Sequence, residues 1–197
     1  MKSPKEEIEM LLESTNRMGI TDLLGYMDEY GFYTAPASTK YHGAEAGALA
    51  VHSLNVCYTA LEIAKTLNPE ITEEQRNSII ICALLHDLGK MGQFGQPLYV
   101  ENILKKGRSE AQPFKINPDL LTLDHEIVSV IEIQKYIDLT PDEQFAIAMH
   151  NGLYSDIGRY SLKGNETPLQ MIIHFSDMWA SRVLEKGEAD ENKNDMS

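Results

Sequence analysis

The chain has 197 residues, 43% of them hydrophobic and 24% charged, with a formal net charge of −13 at pH 7; that is enough apolar material for one well-buried domain. The acidic balance argues against a protein that grips long nucleic acid through its general surface field, because such binders neutralise phosphates with clustered Lys and Arg. It leaves room for a small anionic substrate where cations are concentrated locally. Residues 1–20 carry no charged-then-apolar leader, and the longest uninterrupted apolar run, 79–85, is far too short to cross a bilayer. A soluble, cytoplasmic protein without membrane partners is therefore expected. Cys57 and Cys82 form no CxxC or zinc-ribbon spacing and fall within apolar helical patterns, so both are expected to pack.

Residues 5–18 place Ile8, Leu11, Leu12, Thr15 and Met18 at helical spacing, with glutamates near the start where the helix dipole favours them. A short helix over 21–30 carries Leu23, Leu24, Met27 and Tyr30, and Gly31 stops it. Residues 32–47 (FYTAPASTKYHGAEAG) read as an ordered loop. The next helix, 48–67, puts Leu54, Cys57, Leu61 and Ala64 on one face, with His52 near the same stripe and so pointing inward. Thr72 with Gln75 forms a capping-box start for a helix that runs through Ile79, Ile80, Ala83 and Leu84 to His86 and Asp87.

Helical periodicity disappears over 91–123, where 98–103 and 112–116 suggest a small hairpin across Gly107. An insertion of this length in a compact domain suggests a binding loop or lid. Helices are predicted again over 124–136, with His125 in the first turn, and from Thr140 to His150 behind a second capping box with Pro141 at its first position. A polar loop over 151–166 holds Tyr154, Arg159 and Tyr160, and a last helix from Thr167 to about Leu184 buries Asp177 among Phe175, Met178 and Trp179. The fold class is thus all-α: a compact single-domain bundle of about seven helices. N-terminal helices (1–40) pack on a core domain (41–184) with an irregular or hairpin insertion (91–123), and an acidic disordered tail (185–197) follows.

Chemistry concentrates in six residues within apolar helical context: His52, His86, Asp87, His125, His150 and Asp177. A buried, unpaired aspartate costs several kcal/mol, so Asp177 requires a cation or donors. Imidazole and carboxylate together suit first-row divalent metals. Only six histidines exist in the whole chain, and four of them fall at helix ends or inward faces, which points to a metal centre.

The order His52, then His86-Asp87, then Asp177, with the wording HDLGK at 86–90, resembles the HD superfamily of metal-dependent phosphohydrolases over about residues 41–179. His125 in DHE and His150 in MHNG match positions at which binuclear members add ligands for a second metal. The segment PASTKYHGAEAGALAVHSLNV is similar to the entry of the HD domain in bacterial 3′–5′ exoribonucleases, but their nucleic-acid-binding barrel has no counterpart here. The resemblance therefore implies an HD-domain fold acting on a small nucleotide or short phosphodiester rather than a polymer. No GYP triplet follows the His-Asp pair, which leaves the cyclic-di-GMP branch unsupported.

The resemblance further implies a metal-activated hydroxide and two divalent ions. His52, His86 and Asp177 would hold one ion, His125 and His150 the other, and Asp87 would bridge. Manganese or iron is expected, with cobalt, nickel or magnesium as alternatives. Lys90 is a candidate for the substrate phosphate, against a plain helix-dipole role. Tyr154 and Arg159 are candidates for base stacking and phosphate clamping, against ordinary solvation. His42 is expected at the surface and Trp179 in the core. Two alternatives stay open: a mononuclear nucleotidase or deoxynucleoside triphosphohydrolase using His125 or His150 as acid or base, and a nucleotide-binding module without catalysis.

Overall fold

The computed structural model describes residues 2–40, 43–121 and 123–186; His42 and residues 187–197 of the expected tail lie outside them. Helices α1 (Pro4–Ser14) and α2 (Ile20–Glu29) lead into α3 (Ala48–Leu67) and α4 (Glu73–Leu85). After the insertion come α5 (His125–Ile133), α6 (Pro141–Ala148), α7 (Asp156–Ser161) and α8 (Pro168–Trp179). The fold is all-α, as expected, and α7 is an addition: Ser155 caps it by accepting from the Gly158 amide within the stretch read as polar loop.

Local chemistry explains the boundaries. Thr72 with Gln75 and Thr140 with Glu143 form the two expected capping boxes, and Ser3 with Glu6 forms a third. Helix α1 ends at Ser14, short of the expected Met18, because the Thr15 amide closes on Leu12 and Glu13 and turns the chain. Arg17 then reaches across to α6, where its guanidinium donates to both oxygens of the fully buried Glu143 at 2.7 and 3.0 Å.

Helix α3 packs against both α4 and α8, and α6 packs against α5 and α8. Ile80, Ile81, Leu84 and Leu85 of α4 are wholly buried, as are Val56, Cys57 and Ala60 of α3. Burying each large aliphatic contributes about 1.5–3 kcal/mol relative to exposure. Ile8, Leu12, Leu23 and Met27 belong to the same core, so α1 and α2 share it with the bundle. Cys57 and Cys82 are buried and free, in packing positions. The insertion holds two nested antiparallel pairs: β1 (Tyr99–Glu101) with β4 (Phe114–Ile116), and β2 (Ile103–Leu104) with β3 (Gly107–Arg108). Among the described residues no helix is long and apolar enough to cross a membrane.

One expectation is corrected. Trp179 is not core but 53% exposed: residues two apart on an α-helix point about 200° apart, so a helix that turns Asp177 inward turns Trp179 out.

Candidate metal centre

The apolar run of α4 ends inside the bundle, with His86 as the C-cap and Asp87 opening a 3-10 turn over Leu88–Met91. This turn packs on α5, which brings the first residue of that helix, His125, to the pair. Gly89 permits the approach: a Cβ there would lie 2.3 Å from the His125 carbonyl oxygen, and its amide donates to Ser129 Oγ at 2.9 Å. Helix α3 contributes His52, the end of α6 contributes His150, and α8 contributes Asp177. All six residues singled out in the sequence meet at one place. His86 is 0%, Asp87 1%, His150 1% and His52 4% exposed.

Each imidazole has its Nδ1 against an oxygen that can only accept: His86 on Ala83 O (2.9 Å), His150 on Ile147 O (2.8 Å), His125 on Glu126 Oε2 (3.2 Å) and His52 on Glu185 Oε2 (3.0 Å). In His52, His86 and His150 Nδ1 therefore carries a proton, and in all four rings Nε2 is the nitrogen turned toward the carboxylates. The Nε2 atoms converge. His52 Nε2 stands 3.3 Å from His86 Nε2 and 3.2 Å from Asp177 Oδ1. Both His52 and His86 lie 3.5 Å from Asp87 Oδ2, while His125 and His150 lie 3.0 and 3.5 Å from Asp87 Oδ1. Two overlapping groups, His52–His86–Asp177 and His86–Asp87–His150, each keep their ligand atoms within 4.8 Å of one another.

This donor set fits a divalent cation. Asp87 Oδ1 and His125 Nε2 are buried without a hydrogen bond, though they lie 3.0 Å apart, and lone pairs facing carboxylates require positive charge between them. The electrostatics agree. Burial opposes charge on His52, yet the carboxylates of Asp177 and Glu185 outweigh it and push the pKa up to about 10. Burial likewise opposes charge on Asp87, but Lys90 and the surrounding imidazoles hold its carboxyl well below the usual range. Asp177 is held low as well, against burial, chiefly by His52.

The expected substrate contacts are more scattered. Lys90 Nζ donates to Asp87 Oδ2 at 2.6 Å, and although burial opposes its charge, Asp87 raises its pKa above the ordinary lysine value. Tyr154 is exposed, with the Arg182 guanidinium 4.9 Å from its ring centre. Arg159, on α7, pairs with Asp156 and the Leu153 carbonyl; no described contact joins it to the histidine cluster.

Sequence reasoning passed over five residues that bear on the site. Glu126 and Glu185 hold imidazoles. Asn151 donates to Glu126 Oε1 at 2.6 Å and lies 3.2 Å from His150 Nε2. The His174 ring takes its place at the His150 carbonyl, 2.7 Å away. Tyr99 of β1 is half-buried, and after burial the charges of Lys90 and Asp87 act most on its hydroxyl. The dipeptides HE at 125–126 and HN at 150–151 were the available signals for two of these.

Comparison with known proteins follows the same lines. The chain is 28% identical over 150 residues to a dihydroneopterin 2′,3′-cyclic phosphate phosphodiesterase of Methanocaldococcus jannaschii, covering 76% of this chain and 52% of that protein. The chain thus spans about half the length of this relative. No solved structure matches it. The profile of the HD domain matches residues 49–178, which contain all six clustered residues, and the chain belongs to the HD-domain superfamily of metal-dependent phosphohydrolases.

Proposed function

We propose that this protein hydrolyses a small phosphoester, a nucleotide or short phosphodiester, with two divalent ions bound at the histidine cluster. The observation that carries the reading is the uniform orientation of four imidazoles: every Nδ1 faces an acceptor oxygen, and every Nε2 is aimed at the carboxylates of Asp87 and Asp177. In this reading His52, His86 and Asp177 would hold one ion and His125 and His150 the other, with Asp87 shared between them. Manganese or iron suits a nitrogen-rich set better than magnesium does. Such ions supply a nucleophile at neutral pH and neutralise charge on the phosphoryl group.

The remaining residues are given supporting roles. Asp87 orients the attacking group, and Lys90, on the same carboxylate, places a cation where a substrate phosphate arrives. Tyr154 offers a flat surface for a heterocycle, and Arg159 a cation at the rim. The named activity of the archaeal relative makes 2′,3′-cyclic phosphates the first substrate class to try. One observation favours a second reading with a single ion: the Asn151 amide 3.2 Å from His150 Nε2 could leave that ring as an acid or base.

The test is a hydrolysis panel with Mn²⁺ or Fe²⁺: 2′,3′-cyclic nucleotides, nucleoside mono- and triphosphates, dinucleotides and bis-p-nitrophenyl phosphate. Metal-dependent turnover of at least one, abolished by chelation, is expected. Failure on every member, with the ions shown to be bound, would favour a binding module without catalysis.

A further inference from the structure

Helix α8 does not end as a plain α-helix. Its closing turn, Ala180–Leu184, is π-helical, and the Glu185 amide donates to the Ala180 carbonyl five residues back at 3.0 Å. A π turn inserts one residue into the helical register, which rotates whatever follows by about 100° relative to an uninterrupted helix. The turn packs on α3, and the residue it delivers there is Glu185, whose side chain is 14% exposed.

The Glu185 carboxylate takes His52 Nδ1 at 3.0 and 3.1 Å, and its Oε1 accepts from Asn55 Nδ2 at 2.9 Å. Asn55 lies one turn beyond His52 on α3, so the carboxylate has an anchor of its own. On the opposite side of the same ring, Asp177 Oδ1 stands 3.2 Å from Nε2. One helix and its closing turn thus grip both nitrogens of a single imidazole. The family match ends at residue 178 and leaves Glu185 outside it.

We infer that Glu185 is a positioning residue for the metal centre: through Nδ1 it fixes the tautomer and orientation of His52, so that Nε2 is bare and faces the ion shared with His86 and Asp177. The inference rests on the metal reading above. A carboxylate behind a ligating imidazole raises its basicity and restricts its rotation, and removing such partners typically weakens metal binding 10–100-fold. The segment after the family match therefore belongs to the centre.

The test uses the full chain and Mn²⁺ or Co²⁺ alone as probe, in wild type, Glu185→Ala, Glu185→Gln and Glu185→Asp. Competition titration should show one binding phase weakened by about 10–100-fold in E185A, with the other phase unchanged. E185Q keeps an acceptor without the charge and should fall between, and E185D should recover part of the loss. The Co²⁺ absorption spectrum should shift in E185A and return toward wild type in E185D. Unchanged affinity and spectrum in E185A and E185Q, with wild type binding metal, would overturn the role of Glu185 alone. If E185A does not fold, E185Q decides by the same measurement. A wild type that takes up neither ion overturns the metal reading itself, and the inference with it.

Discussion

Oδ1 of Asp87 lies 3.0 Å from Nε2 of His125 with no hydrogen bond between them, although both atoms are shut off from solvent. The other ring nitrogen, Nδ1, stands 3.2 Å from Glu126 Oε2, and a cation between Nε2 and Asp87 Oδ1 would satisfy both buried atoms. Asp87→Asn replaces one of the aspartate oxygens with a donor and leaves Lys90 without its anion. Metal content is expected to fall to one ion per chain or fewer. Hydrolysis should fall by about 10³-fold or more, on the order of 4 kcal/mol in the barrier. Elemental analysis and steady-state kinetics on one preparation check this, and wild-type turnover in D87N would remove Asp87 from the mechanism.

Gly89 sets how closely α5 approaches the His-Asp corner. In Gly89→Ala the new methyl would meet the His125 carbonyl oxygen at 2.3 Å and Val128 Cβ at 2.9 Å. Relief requires α5 to move, carrying His125 with it. Overpacking of this kind costs about 1–3 kcal/mol, and the ion proposed for His125 and His150 should be lost first. Urea denaturation gives the cost and metal stoichiometry gives the loss. A variant with both ions and unaltered stability would show that the corner yields elsewhere.

At the opposite end of α6 from His150, Glu143 links the N-terminal segment to the bundle through Arg17. Burial would raise its pKa, but the Arg17 fork, the Thr140 amide and the Ser78 hydroxyl outweigh this and hold the carboxyl below its ordinary 4.5. A carboxyl lowered on folding adds stability that is fully present above its unfolded-state pKa and disappears as pH falls through the folded value. Glu143→Gln should therefore destabilise the protein by about 2–4 kcal/mol at pH 7. The gap from wild type should narrow as pH drops below about 4.5. Chemical denaturation across that range measures it. A gap independent of pH would assign the loss to packing rather than charge.

The elements and the site differ in how far the sequence revealed them. Thr72 with Gln75 and Thr140 with Glu143 announce helix starts because a cap is a local event, and both form as expected. The six clustered residues could be found because a histidine or aspartate inside an apolar helical pattern conflicts with its surroundings. Glu126 and Glu185 give no such conflict. Glu126 occupies a first turn, where any glutamate favours the dipole, and Glu185 opens a run of charges that resembles solvated tail. What makes them part of the site is tertiary: the packing of α5 on the turn after Asp87, and a π turn that no spacing in the residues 180–184 announces. Trp179 misled for a related reason, since apolar character outweighed the helical angle that Asp177 imposes.

If four imidazoles and two aspartates hold two ions, the number of ions per chain is the decisive quantity. Wild type, His125→Ala and His150→Ala are stripped with chelator, reloaded with Mn²⁺, freed of excess and assayed for metal per chain. Two equivalents are expected in wild type and one in each variant. A wild type with no tightly held metal, or with one equivalent that neither substitution disturbs, would contradict that count.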